Sequence, residues 1–228
     1  MRILATAAEQ QEIDCALRAY EATRHLWKND VEMVFRLTGI GATNACYCVT
    51  KEIVGANAAG NPYDLVINMG IAGSYDFNKY PIGSAAVISR EIIGDLGFEG
   101  KDGFEDLFRY GILNKDTFPY TNGALARQLL PYRNIEEALG KYGAATGVTV
   151  QRITGSASTT EELVRLYSPH IESMEGAAVY YACLMEKVPF FGLRTVSNAV
   201  GERDTRKWDT PAALDALQEC CHEIFSVL

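Results

Sequence analysis

The strongest constraint on this chain is an alternation of short apolar runs with stretches of helical spacing. Met1 to Ala7, Val31 to Leu37 and Asp64 to Met69 are apolar runs of strand length. Glu12 to Tyr20 instead repeats its apolar positions at Ile13, Leu17 and Tyr20, as a helix with one inward face does. The second run leads into Gly39-Ile40-Gly41 and a helix with Ala45, Val49 and Ile53 on one side. Further strands are expected near Ser84 to Ile93, Gly147 to Ile153 and Pro189 to Ser197. Further helices are expected from about Asn122, Thr159 and Glu175. A last helix is signalled by Thr210 as N-cap and Pro211 at the first helical position. Its Leu214, Leu217, Cys221, Ile224 and Leu228 should face inward. Such an alternation predicts an α/β fold in three layers, a mixed central sheet flanked by helices. No linker, repeat or low-complexity tract interrupts it, so residues 1–228 are expected to form one domain.

Composition excludes several classes of function. The 21 Lys and Arg against 29 Asp and Glu give a formal charge of −8, which opposes a phosphate-tracking nucleic-acid partner. No apolar run approaches the roughly 18 residues that cross a bilayer, so no membrane partner is expected. The start reaches Glu9 after a short apolar stretch and does not read as a secretion signal. The cysteines (Cys15, Cys46, Cys48, Cys183, Cys220, Cys221) have no C-x-x-C spacing and fit reduced thiols of a cytoplasmic protein. His25, His170 and His222 stand at no metal-ligand spacing, so neither metal nor other cofactor is expected. One stretch, Gly97 to Tyr120, lacks periodicity and is rich in aromatics, a functional loop or a surface excursion with its own small cluster.

Four motifs are candidates for chemistry, and each also has a plain structural explanation. Gly39-Ile40-Gly41 joins a strand to a helix, where backbone approaches ligands, but a tight turn needs no ligand. A dinucleotide fingerprint would require a third small residue where Asn44 stands. Asn68 to Gly73 ends a strand in small residues and leaves backbone groups reachable. In Ser173 to Ala178, Glu175 suits a first helical turn, and its two acceptor oxygens also match a pair of sugar hydroxyls. Arg194 to Asn198, followed by Gly201 to Asp204, is a strand that runs out into polar and charged residues.

Taken together and in this order, the motifs resemble the purine nucleoside phosphorylase and nucleosidase superfamily over essentially the whole chain. Ala8 to Ile13 is similar to the opening of the methylthioadenosine/S-adenosylhomocysteine nucleosidases. Thr38 to Gly41, Asn68 to Gly73, Met174 to Ala177 and Val188 to Arg194 match further superfamily motifs. Val148 to Ser156, with Arg194, Ser197-Asn198, Gly201 to Asp204 and Trp208, is most similar to the futalosine hydrolase branch, which serves an alternative menaquinone route.

The resemblance implies cleavage of the N-ribosidic bond of a purine nucleoside through a transition state positive on the sugar and negative on the base. It assigns water activation to Glu12, with Glu9 as the fallback if the register slips. It places Glu175 on the ribose hydroxyls, Met174 beneath the sugar, Ala72 and Gly73 beside the base, and Thr159 at the purine edge. Arg194 joins the substrate-binding set. Asn198 stands where adenine-cleaving relatives have Asp; its amide donates to the N7 and O6 acceptors of a 6-oxopurine but supplies no proton. Asp204 is expected in a loop salt bridge with Arg203 or Arg206 rather than at the leaving group. Hydrolysis is favoured over phosphorolysis, because Asn68 stands where hexameric phosphorylases carry Arg. Arg90, Arg109 and Arg203 are candidates for a carboxylate on the 5′ side. A homodimer or dimer of dimers is implied. The alternatives are a methylthioadenosine-type nucleosidase, a purine nucleoside phosphorylase, or a nucleoside-binding module without catalysis.

Overall fold

The structure is a computed structural model that describes residues 1–27, 30–101 and 103–228. Its strands are β1 (Arg2–Ala7), β2 (Glu32–Leu37), β3 (Leu65–Ser74), β4 (Ala85–Ile93) and β5 (Gly97–Gly100). They continue with β6 (Gly103–Asp106), β7 (Leu125–Ala126), β8 (Gly143–Thr149), β9 (Ile171–Ser173) and β10 (Phe190–Ala199). The helices are α1 (Gln10–Thr23), α2 (Ala42–Ala58), α3 (Arg133–Leu139), α4 (Ala157–Tyr167), α5 (Gly176–Glu186) and α6 (Thr210–Phe225).

β1 pairs in parallel with β2 on one side and β3 on the other, and β3 pairs in parallel with β10. β4 runs antiparallel to β10 and parallel to β8, which makes the sheet mixed, as the alternation predicts. Beyond β8 the sheet turns back on itself. β9 lies parallel to β8 and antiparallel to the end of β3, at Gly73 and Ser74. Strand polarity alone carries no signal for that closure.

Alternation along the strands divides the core into two layers. Ile3 and Ile67 face α1 and α6, where Ile13, Ala16, Leu217, Ile224 and Phe225 meet them. Leu4 and Val66 face α2 and α5, against Ala45, Val49, Ile53, Val179 and Cys183. Both faces are therefore covered, and the central strands read as unbroken apolar runs rather than as alternating ones. No helix among the described residues is long and apolar enough to cross a membrane.

Several boundaries differ from expectation. β3 does not end at Met69; Gly70 to Gly73 remain paired to β10 as extended strand. β8 stops at Thr149 instead of reaching Ile153. No helix starts at Asn122: the chain there forms a turn into β7, and the helix begins at Arg133. Asp209 rather than Thr210 caps α6, its carboxylate accepting from the Ala212 N–H at 3.0 Å. A carboxylate at this position accepts from the helix end as well as a hydroxyl does, and its charge complements the dipole. The aperiodic stretch holds a short hairpin, β5–β6, with edge-on pairs Phe98–Tyr110 and Phe108–Tyr120. It is an excursion with its own aromatic contacts, although Tyr110 and Phe118 stay more than 60% exposed, at 63% and 62%.

Candidate active site

Glu12 lies in the first turn of α1 and is only 5% exposed. Its Oε2 accepts from the backbone N–H groups of Ala8 (3.1 Å) and Glu9 (2.9 Å), and its Oε1 accepts from the N–H of Ile71 (2.9 Å). Burial pushes its carboxyl above the usual range; the Ile71 and Glu9 N–H groups and the Arg194 charge pull the other way without cancelling it. Glu9 itself is exposed and caps the helix through its backbone.

The glycines of β3 make room for this carboxylate. A Cβ on Gly70 would stand 2.7 Å from Glu12 Oε1, closer than any such pair tolerates. Three residues further along the strand, Gly73 lies opposite Asn198 in the register with β10, and a Cβ there would meet Asn198 Nδ2 at 3.3 Å. Strand geometry puts Gly70 and Gly73 about 10 Å apart. A glutamate from the start of the chain and an amide from near its end thus flank one short segment of backbone.

The orientation of the Asn198 amide follows from its neighbours. Its Nδ2 donates to the Ala199 carbonyl at 2.8 Å, and a carbonyl accepts only, so the nitrogen must be the atom on that side. The oxygen accepts from the Ser197 hydroxyl at 2.8 Å. The second amide hydrogen has no partner among the described residues and is available to an acceptor.

Glu175 is the N-cap residue of α5 and half-buried, with Met174 beside it. Its Oε1 accepts from the Gly41 N–H at 2.8 Å. Gly39 and Gly41 adopt φ of 78° and 94°, which side-chain-bearing residues resist, and this brings the Gly41 N–H round to Glu175. The glycine pair therefore holds a carboxylate of the protein itself. The other Glu175 oxygen is left without a partner among the described residues.

Two buried groups stand beneath this surface. Arg194 is 2% exposed; it donates to the Asn68 and Leu193 carbonyls at 3.1 and 2.9 Å and to the Asn68 side-chain oxygen. Its charge acts on Glu12 from below. Glu91, which the sequence motifs did not single out, is 1% exposed and lies against Gly147 and Gly176. Thr149 Oγ1 donates to it at 3.0 Å and accepts from the Ala177 N–H at 2.7 Å, so Glu91 is tied to the first turn of α5 beside Glu175. Burial pushes its carboxyl up to about 7, against the opposing pull of Arg194 and Thr149. A carboxyl at the sheet's midpoint looks like any other strand residue in sequence; only burial marks it.

Ala72 and Gly73 lie at the carboxyl end of β3, with Gly73 opposite Asn198. Thr159 is not free to read a base. It sits inside the first turn of α4, where its N–H donates to Ser156 Oγ at 3.2 Å to cap the helix. The backbone with unused groups is at Arg152 and Ile153, exposed residues just after β8. That loop faces the one after β10: a Cβ on Gly155 would meet Arg203, and one on Gly201 would meet Thr160. Asp204 is half-buried and held by Arg206 at 2.7 Å, which keeps its carboxyl below the usual range.

A cavity of about 750 Å³ opens beside Gly41 and Ala177, lined by Thr43, Tyr47, Lys51, Thr149, Gln151 and Tyr181 among others. Lys51 is the one cation among the described residues that line it. Arg90 and Arg109 do not reach this cavity; they face a different one. No cluster of three potential metal ligands occurs among the described residues.

The profile of the phosphorylase superfamily matches residues 3–227. A futalosine hydrolase of Thermus thermophilus is 30% identical over 201 residues, covering 85% of this chain and 81% of the relative. The chain belongs to the futalosine hydrolase family of the phosphorylase superfamily. A futalosine hydrolase of Streptomyces coelicolor is 29% identical over 241 residues, covering 100% of this chain and 97% of the relative. In fold, the protein is similar to the futalosine hydrolase of Helicobacter pylori, with a TM-score of 0.77 at 17% identity over 100% of this chain and 97% of that one. It is similarly close to a methylthioadenosine/S-adenosylhomocysteine nucleosidase of Colwellia psychrerythraea in complex with adenine, with a TM-score of 0.76 at 18% identity over 100% and 96% of the two chains. Membership places this chain among nucleosidases that share the α/β architecture described above.

Proposed function

We propose that this member of the futalosine hydrolase family hydrolyses the N-ribosidic bond of futalosine and releases hypoxanthine. The observation that carries the reading is that Glu12 and Asn198 stand at Gly70 and Gly73, about 10 Å apart along one strand, with Glu175 supplying a free carboxylate oxygen. In this reading Glu12 orients a water and takes its proton as the water attacks the anomeric carbon. A carboxyl raised by burial is a better proton acceptor near neutral pH than an ordinary one. Glu175 accepts from the ribose hydroxyls, and Met174 lies beneath the sugar, where a polarizable thioether suits a developing cation.

Asn198 directs its unpaired amide hydrogen to N7 or O6 of a 6-oxopurine as negative charge grows on the base. The opposite polarity at the 6-amino group of adenine would leave a buried donor facing a donor. Ala72 and Gly73 flank the base, and the free backbone of Arg152 and Ile153, in place of Thr159, reads its edge. Arg194 acts through its charge under Glu12, not by contact. Water is the nucleophile because Asn68, where a phosphate clamp would need an arginine, is 2% exposed and spent on Arg194 and Thr6.

The cavity beside Gly41 takes the 5′ substituent, and Lys51 replaces Arg90, Arg109 and Arg203 as the partner of its aromatic carboxylate. Exposed apolar side chains on and near α2 (Ile40 53%, Tyr47 69%, Val54 46%) support assembly as a homodimer or dimer of dimers. The free thiols of all six cysteines fit a cytoplasmic location for the whole 1–228 domain. The test is incubation with futalosine, inosine and methylthioadenosine, each with and without phosphate, measuring free base. Hypoxanthine released from futalosine without phosphate is the expected result. Phosphate-dependent turnover of inosine, or adenine release as the main activity, would overturn the reading.

A further inference from the structure

A second cavity, of about 460 Å³, lies between β4, the segment after β6 and the end of α4. It shares no lining residue with the site described above. Three cations point into it, Arg90, Arg109 and Lys115, although the chain as a whole carries −8. Arg90 neighbours Glu91 on β4, but adjacent strand residues face opposite ways. Glu91 turns toward α5, and Arg90 lines this cavity with Leu166 and Tyr167 of α4.

The Arg90 side chain is the group without an explanation. Its Nε is fully buried with no hydrogen-bond partner, and it enters no salt bridge among the described residues. A guanidinium cannot relieve burial by losing its proton, as a lysine can, so a half-buried one calls for an anion or an acceptor. The one carboxylate among the described residues that line the cavity is already committed. Asp106 Oδ1 accepts from the N–H groups of Phe108 (2.8 Å) and Arg109 (3.0 Å), and Oδ2 accepts from the Tyr167 hydroxyl at 2.5 Å. Among the described residues, the Lys115 ammonium holds only the Asn122 side-chain oxygen, at 3.2 Å, and the Arg109 guanidinium only the Leu166 carbonyl. Both keep donors to spare. The remaining walls are apolar, from Ile92, Leu166 and the ring of Phe108.

We propose that this cavity is an anion-binding site for a small ligand bearing a carboxylate or phosphate on an apolar body. Arg90 takes the oxyanion through its unpaired donors, with Arg109 and Lys115 completing the charge, and the apolar part lies against Phe108 and Ile92. A bare oxyanion fills too little of the space.

The experiment is thermal melting and calorimetric titration of the full chain with inorganic phosphate, benzoate and phenyl phosphate. Wild type should bind phenyl phosphate or benzoate saturably at one site per chain, and the preferred head group separates a phosphate from a carboxylate ligand. The same head group without the ring should bind about tenfold or more weakly, because it buries no apolar surface. At ten times the dissociation constant the ligand should raise Tm by about 3–6 °C. Arg90→Met should lose that shift while keeping a ligand-free Tm equal to or above that of wild type, since it removes an unpaired buried donor. Arg109→Gln tests the same site without touching the sheet and should weaken binding. Absence of saturable binding of all three probes up to about 10 mM would overturn the proposal. So would binding that survives Arg90→Met and Arg109→Gln but disappears in Lys51→Met, which would assign it to the cavity beside Gly41.

Discussion

Replacing Glu91 by Gln should stabilise the protein progressively as the pH rises above about 4.5, and fully above about 7. Glu91 is 1% exposed, and its carboxyl titrates at about 7 in the folded protein against 4.5 for an ordinary glutamate. Below pH 4.5 both folded and unfolded chains hold the proton, and burial of the carboxyl carries no ionisation penalty. Between 4.5 and about 7 the unfolded chain releases that proton while the folded chain keeps it, so stability falls as pH rises. Above about 7 the penalty is complete, and at 1.36 kcal/mol per unit it amounts to about 3 kcal/mol. Gln keeps an oxygen for the Thr149 hydroxyl and has nothing to ionise. The Glu91→Gln protein should therefore match wild type at about pH 4 and below and exceed it in Tm by about 6–12 °C at pH 8.5. Thermal melts of both proteins across this range measure the difference, and every other titration cancels between them. A Tm difference that stays flat with pH, or a less stable variant at pH 8.5, would refute the reasoning.

Glu12→Gln should lower kcat by about 10²-fold or more with little change in KM, since the amide cannot take a proton from water; steady-state rates on futalosine check this. Gly70→Ala should also depress kcat, by up to about 10²-fold, because its Cβ would stand 2.7 Å from Glu12 Oε1 and force that carboxylate aside. Unchanged kcat in a folded Gly70→Ala protein would show that the position of Glu12 is not critical. Asn198→Asp should cost about 5- to 150-fold in kcat/KM on a 6-oxopurine nucleoside and shift preference toward 6-aminopurines. In that variant an oxygen faces the Ala199 carbonyl 2.8 Å away, which favours the protonated acid. Comparing hypoxanthine with adenine release reads the outcome, and an unaltered base preference would remove Asn198 from base selection.

Much of the candidate site is legible in the sequence because its residues cluster in short motifs whose spacing survives without neighbours. Glu12, Glu175 and Asn198 each occupy an end of a secondary-structure element, and such ends announce themselves through small and polar residues around them. Thr159 was misplaced for a local reason: Ser156 three residues earlier caps α4 and consumes its N–H, which shifts the free backbone to Arg152 and Ile153. The extension of β3 through Gly70 to Gly73 was missed because glycines signal turns, whereas here they give space to side chains lying on an extended strand. Lys51 had no motif at all, and its relevance comes from the cavity it lines.

The order of strands and helices, the two apolar faces of the central strands and the chemical types at the element ends are properties of the sequence itself, because periodicity and local hydrogen bonding operate over a few residues. Which groups meet was decided only in three dimensions. Return of β9 to β3 and the pairing of β3 with β10 bring residues 12, 73, 91, 175 and 198 into one neighbourhood. Burial depends on every element packed around a group, so the raised carboxyls of Glu12 and Glu91 and the unpaired Arg90 belong to the fold and not to any stretch of the chain.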